Sequence, residues 1–427
     1  MSIQALQAQI DQVSADIERQ KELLEKLERS KKVLEHQLNN MRDPFVKLPL
    51  EISSDIFVRC IPATHPGPGS VFPRLFLKIC NTWTAIALST PALWARISFH
   101  LPRPPGFTQL LRLWFQRAGG HPMHISITGP VDDVVASILW EHSSHLGRLE
   151  FLAGEVPKNG EDKGAGRRHV ELWDIWGSAR PQSLPLLQSL RIHGHEHVAL
   201  RSLPFLRLLR RSSNLSELIL HDVEFDDRAY DVLPEEVVLP SLRRLMFDYE
   251  VSPSLDQYDI LPFISAPHLQ VFGLNGEAAF YDGLRVEPFL KESNPPLQEL
   301  ILRNAGNADD LYCLLALVPT VTRLELKSPS LGFVEELFIH LAENPEKVLP
   351  SLQAFDSVCL VQHRSTAFLL ETTLRLLTAR RTQLRTFHFT FYSQVQIPAN
   401  TLAGFKELSA EGLDIQLGHP DWISLRL

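Results

Sequence analysis

This chain of 427 residues is short of several things, and each shortage removes a class of function. It has only four cysteines, Cys60, Cys80, Cys313 and Cys359, scattered with no C-x-x-C pair. That argues against a disulfide framework and a cysteine-rich zinc site, and it fits a reducing compartment. No uninterrupted apolar run approaches the ~20 residues that a membrane helix needs. The N-terminal stretch is polar and charged, so no secretory signal is expected. Net charge is −8, which implies no general affinity for nucleic acid or for an anionic membrane. Arg29-Ser30-Lys31-Lys32 is too short a basic run to assign a nuclear address. Cytoplasm or nucleus is therefore the expected location. Neither a phosphate-cradling P-loop nor a G-x-S-x-G elbow is present.

What the chain does have is 44% apolar residues and 22% charged ones, an ordinary globular composition with length for two or three structural units. Three different apolar periods divide it. Over residues 1–42 the period is seven. Ile3, Ile10, Ile17, Leu24, Lys31 and Leu38 form one seam position, and Leu6, Val13, Gln20, Leu27, Leu34 and Met41 form the other. Ten of these twelve are apolar, and Gly and Pro are absent until Pro44 ends the run. The pattern predicts a coiled-coil helix. Ile at the first seam position favours a parallel two-stranded homodimer in which Lys31 fixes register. The competing arrangement is a single helix folded back on the rest of its own chain.

From Leu48 to Ile97 the period is helical and interrupted. Leu48-Pro49 opens a helix with Glu51 in its first turn, and Ile52, Ile56, Phe57 and Cys60 recur on one face. After a Pro/Gly-rich break from Pro62 to Pro73, Leu75, Ile79, Trp83 and Ile86 make a second face. Thr90-Pro91 caps a third short helix carrying Leu93, Trp94 and Ile97. So small a unit cannot bury this many large apolar side chains internally, so part of the stripe is expected to meet a partner.

Leu48-Pro49, Glu51-Ile52, Ile56-Phe57, Ile79-Cys80-x-x-Trp83, Ile86-Ala87-Leu88 and Ser89-Thr90-Pro91-x-Leu93-Trp94 together resemble an F-box, in the variant common in mushroom-forming fungi. The resemblance covers residues 46–98 and implies a three-helix module that docks a Skp-type adaptor, and through it a cullin–RING ubiquitin ligase. It implies adaptor contacts at Leu48, Pro49, Ile52, Ile56, Leu75, Ile79 and Trp83. The insertion around His65-Pro66-Gly67-Pro68-Gly69 departs from the pattern by lengthening the first connection.

Pro102 to Gly120, with Leu110, Leu111, Leu113, Trp114 and Phe115, reads as a helix in a connector over residues 99–120. From residue 121 onward a loose phrase L-x-x-L-x-L recurs. Its middle residues from Leu190 are Leu218, Leu245, Phe272, Leu300, Leu324, Phe355 and Phe387, spaced 24 to 32 apart. His124 to Ile127 is the expected first strand, and Ala199–Arg211, Phe333–Glu343 and Thr366–Arg380 are the clearest intervening helices. Such a period resembles leucine-rich repeats, a strand and a helix per repeat stacked on one core. The Asn or Cys usual after the last leucine is missing, and its place is taken by His195, Val223, Glu250, Glu277, Ala305, Pro329, Leu360 and Tyr392. The expectation for residues 121–427 is thus an irregular α/β solenoid with a parallel sheet on its concave face and helices outside. Gly154 to Arg168 reads as a surface insertion.

Alternation along each strand sends the phrase leucines inward and their neighbours out. Those neighbours are the candidate target-binding residues: Arg191, Glu217, His221, Arg244, Asp248, Glu299, Arg303, Arg323, Glu325, Lys327, Asp356 and His388. Both signs occur, which suits a protein or peptide ligand and not an anion groove. No catalytic constellation and no cofactor site is expected. His193-x-His195-x-His197 has metal-like spacing but reads as a solvated strand exit; Asp226-Asp227 and Glu235-Glu236 read as surface, and Cys80 as core. The functional expectation is a non-enzymatic substrate-recognition subunit of an SCF-type ligase. An oligomeric interaction scaffold outside ubiquitination is the alternative, and a metalloenzyme at the His cluster a distant third.

Overall fold

The structure, a computed structural model, describes residues 3–61, 73–103, 106–129, 131–152, 183–225, 236–248, 260–275, 283–305, 309–359, 366–391, 397–419 and 422–426. It is an α/β protein in two compact units, residues 1–96 with 113–121, and residues 97–112 with 122–427. The His65–Gly69 insertion, the Gly154–Arg168 segment and the Asp226-Asp227 pair lie outside the described residues.

The first unit begins with α1, Ile3–Arg42, a forty-residue helix. The carboxylate of Asp43 then accepts the Phe45 N–H at 2.9 Å and caps the 3-10 turn Pro44–Lys47. Helices α2 (Leu50–Arg59) and α3 (Asn81–Leu88) follow, with 3-10 turns at Phe76–Lys78 and Pro91–Trp94. Their core is aromatic. Phe57 stacks on Phe76 with ring centroids 4.4 Å apart, and Phe45 lies edge-on to Phe57 and to Trp83, at 5.2 and 4.9 Å. Trp94 donates its indole N–H to the Ala87 carbonyl at 2.8 Å and packs against Trp114 at 5.0 Å, with Arg117 over its ring.

Four details of the sequence reading change here. Leu50, not Pro49, is the first helical residue of α2, and Pro49 stands in the cap position. The face α2 turns inward carries Ser53 and Phe57, so Ile52 and Cys60 point outward. The stripe from Leu75 to Ile86 is not one helix, because Cys80 is extended and its sulfur accepts the Trp83 N–H, starting α3 afresh. Thr90 does not cap by its side chain. Its hydroxyl donates back to the Ile86 carbonyl at 2.6 Å, and Ile97 belongs to a strand.

The second unit is built on a thirteen-stranded sheet. Its strands are β1 (Arg96–His100), β2 (Met123–Thr128), β3 (Leu146–Leu152), β4 (Ser189–Leu200), β5 (Glu217–Phe225), β7 (Arg244–Asp248) and β9 (Val271–Asn275). They continue as β10 (Glu299–Arg303), β11 (Arg323–Lys327), β12 (Ala354–Cys359), β13 (Thr386–Phe391), β14 (Asp414–His419) and β15 (Trp422–Arg426), paired in chain order. Two short strands, β6 (Val237–Val238) and β8 (Ile264–Ser265), pair separately. From β2 to β14 each strand pairs parallel to the next, and β15 closes the series antiparallel to β14. The phrase residues stand in register, Leu190 beside Leu218, Leu218 beside Leu245, and so on through Phe272, Leu300, Leu324, Phe355 and Phe387. All are buried. Consecutive parallel strands require a crossover. Helices fill several of them: α5 (Asp133–Glu141), α6 (Ser202–Arg210), α7 (Gly283–Ser293), α8 (Asp309–Leu317), α9 (Leu331–Glu343), α10 (Thr366–Ala379) and α11 (Ala399–Ala410). Phe338 of α9, within 6.0 Å of Phe355, Phe387 and Phe389, shows how a helix covers the leucine side of the sheet.

The sheet begins earlier than expected. Residues 99–120 are not helical throughout, since β1 runs to His100 and α4 occupies only Phe107–Ala118. The first strand is Arg96–His100, where Ile97 and Phe99 alternate inward, and His124–Ile127 lies in the second. At the other end β14 adds a level, with Ile415 and Leu417 beside Phe387 and Phe389.

Gly129 ends β2 with φ +93°, and a Cβ there would lie 2.6 Å from the Leu101 carbonyl oxygen. Both the left-handed backbone and the fixed carbonyl oppose a side chain. Gly129→Ala is expected to destabilise the sheet by about 2–3 kcal/mol, read as a lower urea midpoint by circular dichroism.

Candidate functional site

Two surfaces stand out. In the first unit, Leu48, Leu50, Ile52, Leu75 and Ile79 are between 39% and 52% exposed, although the unit is small and its aromatic centre is closed. Pro49 is also exposed, Ile56 is half-buried, and Trp83 is half-buried as part of the aromatic centre. The proposed contact residues therefore divide. Leu48, Pro49, Ile52, Leu75 and Ile79 face solvent, and Trp83 positions α3 by packing. Leu50 and Val46, exposed and absent from the sequence reading, extend the apolar surface. Helical spacing gave no signal for Leu50, which is the first residue of α2 and, seven residues before Phe57, lies on the same side of the helix as that buried ring.

The second surface is the sheet face opposite the phrase leucines. The expected outward residues stand on it, and they are engaged with one another. Arg191 grips Glu217 with Nε and Nη2 at 3.0 and 2.9 Å from the same carboxylate oxygen, and Ser189 donates to that oxygen at 2.7 Å. Arg244 Nε is 4.0 Å from Glu217. Asp248 meets Arg303 at 2.7 Å and His221 at 3.9 Å. Arg323 bridges Glu299 and Asp356 at 3.4 and 2.9 Å, Lys327 pairs with Glu325 at 3.0 Å, and His388 sits between Asp356 and Asp414 at 2.9 and 3.5 Å. Register sets Glu217 beside Arg244 and Glu299 beside Arg323, but also Arg303 beside Lys327 and Glu325 beside Asp356, so the ion pairs run diagonally and along strands as well as straight across them. Between the charged rows runs a short apolar one that sequence reasoning passed over: Ile219, Met246, Gly273 and Ile301 share one level. Met246 lies across Gly273, where a Cβ would fall 2.4 Å from its sulfur.

Burial pushes the Glu217 carboxyl upward, but the Ser189 and Arg191 hydrogen bonds and the Arg191 and Arg148 charges outweigh it and hold the group below its ordinary 4.5. A depressed folded-state value means that Glu217 stabilises the fold above pH 4.5 and ceases to as pH falls through the folded value. Glu217→Gln is accordingly expected to shallow the acid limb of the stability profile below that pH, measured by thermal melts across pH 3–6. An unchanged acid limb would count against this pairing.

The His193–His197 run is not an exit loop. β4 continues through it to Leu200, with a register shift against β5 between His193 and Val198. His193 lies 3.6 Å from Glu150 and 5.6 Å, ring to ring, from His221. The side chains of His195 and His197 are outside the described residues. Among the described residues no group of three His, Cys, Asp or Glu could hold a metal, and no helix is long and apolar enough to cross a membrane.

No protein-family model matches the chain, and no curated protein matches it.

Cys359 is buried beside the Pro329 carbonyl, and burial raises its thiol to about 11, so it is packing and not a nucleophile.

Proposed function

We propose that the chain is a non-enzymatic substrate-recognition subunit of an SCF-type cullin–RING ubiquitin ligase. Residues 46–98 act as an F-box that docks a Skp-type adaptor, and residues 121–427 act as a leucine-rich-repeat-like solenoid that holds a target protein. The observation that carries the reading is the exposed apolar set Leu48, Ile52, Leu75 and Ile79 around a closed aromatic centre, at positions where the F-box resemblance puts adaptor contacts, with Leu50 exposed beside them. Left in water, such a surface is a liability; covered by a partner, it supplies the association energy.

In this reading the sheet face is the target surface. Its charges, Arg191 with Glu217, Asp248 with Arg303 and Glu325 with Lys327, already pair with one another, so a target gains by exchanging some of these pairs. The work of the protein is proximity, bringing a target lysine within reach of a ligation enzyme. Titrating a purified Skp-type adaptor into the full chain tests the proposal by calorimetry. Saturable equimolar binding is expected. A folded chain that binds no adaptor would instead leave an interaction scaffold outside ubiquitination.

A further inference from the structure

Every described side chain of α1 from Leu6 to Glu35 is exposed, including the apolar seam residues Leu6, Ile10, Val13, Ile17, Leu24, Leu27 and Leu34. An isolated helix gains little from propensity alone, so an apolar seam this long implies a covering surface. The seam itself points to what covers it. It has two polar members, Lys31 at the first heptad position and Gln20 at the second.

In a parallel pair like positions meet, which would set Lys31 against Lys31 and Gln20 against Gln20. Two ammonium groups would then face each other in the driest part of the interface, a cost with no compensating partner. In an antiparallel pair the first position of one helix faces the second position of the other. One register then solves the polar layers together: with Leu24 opposite Leu27, Lys31 falls opposite Gln20 at both ends of the two-fold. The same register sets Ile17 against Leu34 and Leu38 against Val13, so each remaining layer among them is apolar on both sides. It also brings Lys21 of one helix to the flank of Glu28 of the other, twice. The pairs α1 makes within itself, Arg19–Asp16, Lys21–Glu18, Arg29–Glu25 and Lys31–Glu35, are all solvent-exposed and weak enough to rearrange.

We propose that α1 binds a second copy of this chain as an antiparallel coiled coil, with Lys31 facing Gln20 in two symmetric layers. The proposal does not depend on the ligase reading, because no adaptor residue enters it. It replaces the parallel arrangement favoured by the isoleucines with one in which the polar residues choose the direction. Antiparallel pairing also puts the C-terminal ends of the two helices, and hence the two bodies they lead into, at opposite ends of the coil.

Gln20→Glu separates the alternatives. Glu and Gln have similar helix propensity, and position 20 is exposed in the single chain, so the fold is unaffected. In the antiparallel dimer two new carboxylates meet two Lys31 ammonium groups. In a parallel dimer they would meet each other. Sedimentation equilibrium of the full chain at low salt should show a reversible wild-type dimer that tightens about tenfold or more in Gln20→Glu, with the gain shrinking as salt is raised. A monomeric wild type, or a variant dimer that is unchanged or weaker, would overturn the proposal.

Discussion

Replacing Arg380 by methionine is expected to lower the stability of the sheet-bearing unit by about 3–5 kcal/mol, a loss that belongs with the breaking of buried charged networks. Arg380 follows α10 and is fully buried. Among the described residues no carboxylate forms an ion pair with it. Its guanidinium donates Nε to the Leu341 carbonyl at 3.0 Å, Nη1 to Leu349 at 2.8 Å and Nη2 to Val348. The chain needs this donor for a covalent reason. Leu341 lies in the last turn of α9, and the residue four further on, which would normally supply an N–H, is Pro345. The guanidinium also meets the negative end of the α9 dipole. Burial lowers its pKa to about 10, with Glu346 opposing the drop, so the group is still a cation at neutral pH. Methionine fills the volume but leaves the Leu341 and Val348 carbonyls without this donor; Leu349 keeps the Leu352 N–H at 3.1 Å. Lysine restores a charge but cannot span three acceptors, so Arg380→Lys should fall between. Urea unfolding followed by circular dichroism measures the difference, and a loss below about 1 kcal/mol would show that the carbonyls find other donors.

The second large effect concerns binding. Ile52→Asp is expected to weaken Skp-type adaptor affinity at least ~100-fold while leaving the thermal unfolding of the chain unchanged, because it places a charge where the proposed interface is dry. The separation of the two readouts comes from geometry. Ile52 is 52% exposed, whereas Phe57, five residues on, is 1% exposed and stacked on Phe76. Aspartate at position 52 in the free chain is solvated at little cost. Calorimetric titration alongside thermal melts decides it. Adaptor affinity unmoved by the substitution, with the fold intact, would remove α2 from the interface.

Much of this arrangement was legible in the sequence, and the parts that were not have identifiable causes. The recurring leucine phrase located the core strands because a parallel strand buried on one side must place an apolar residue at every second position. It missed β1 since Leu93, Trp94 and Ile97 also fit a helical spacing, and only pairing with β2 makes Ile97 and Phe99 a strand. It missed β14 because Ile415 and Leu417 follow Gly412 and Leu413 without the preceding leucine of the phrase. The His193–His197 run reads as a loop on account of Gly194, yet β4 regains register with β5 from Val198 to Leu200, which carries the strand past it. Alternation correctly sent Arg191, Glu217, Asp248 and Arg323 to one face. That these residues bind each other depends on register between strands some thirty residues apart, which no local pattern encodes. In α2 the stripe was visible but its orientation was not, since Ile52 and Ser53 differ by only 100° around the helix and the aromatic cluster from Phe45, Phe76 and Trp83 decided which turned inward.

The exposed apolar set of the first unit is proposed to hold an adaptor. Co-expression of the full chain with a fungal Skp-type adaptor, followed by affinity purification on the chain and light scattering for mass and stoichiometry, tests it most directly. A stable complex with one adaptor per chain is the expected result. A soluble, folded chain that purifies without the adaptor would contradict it.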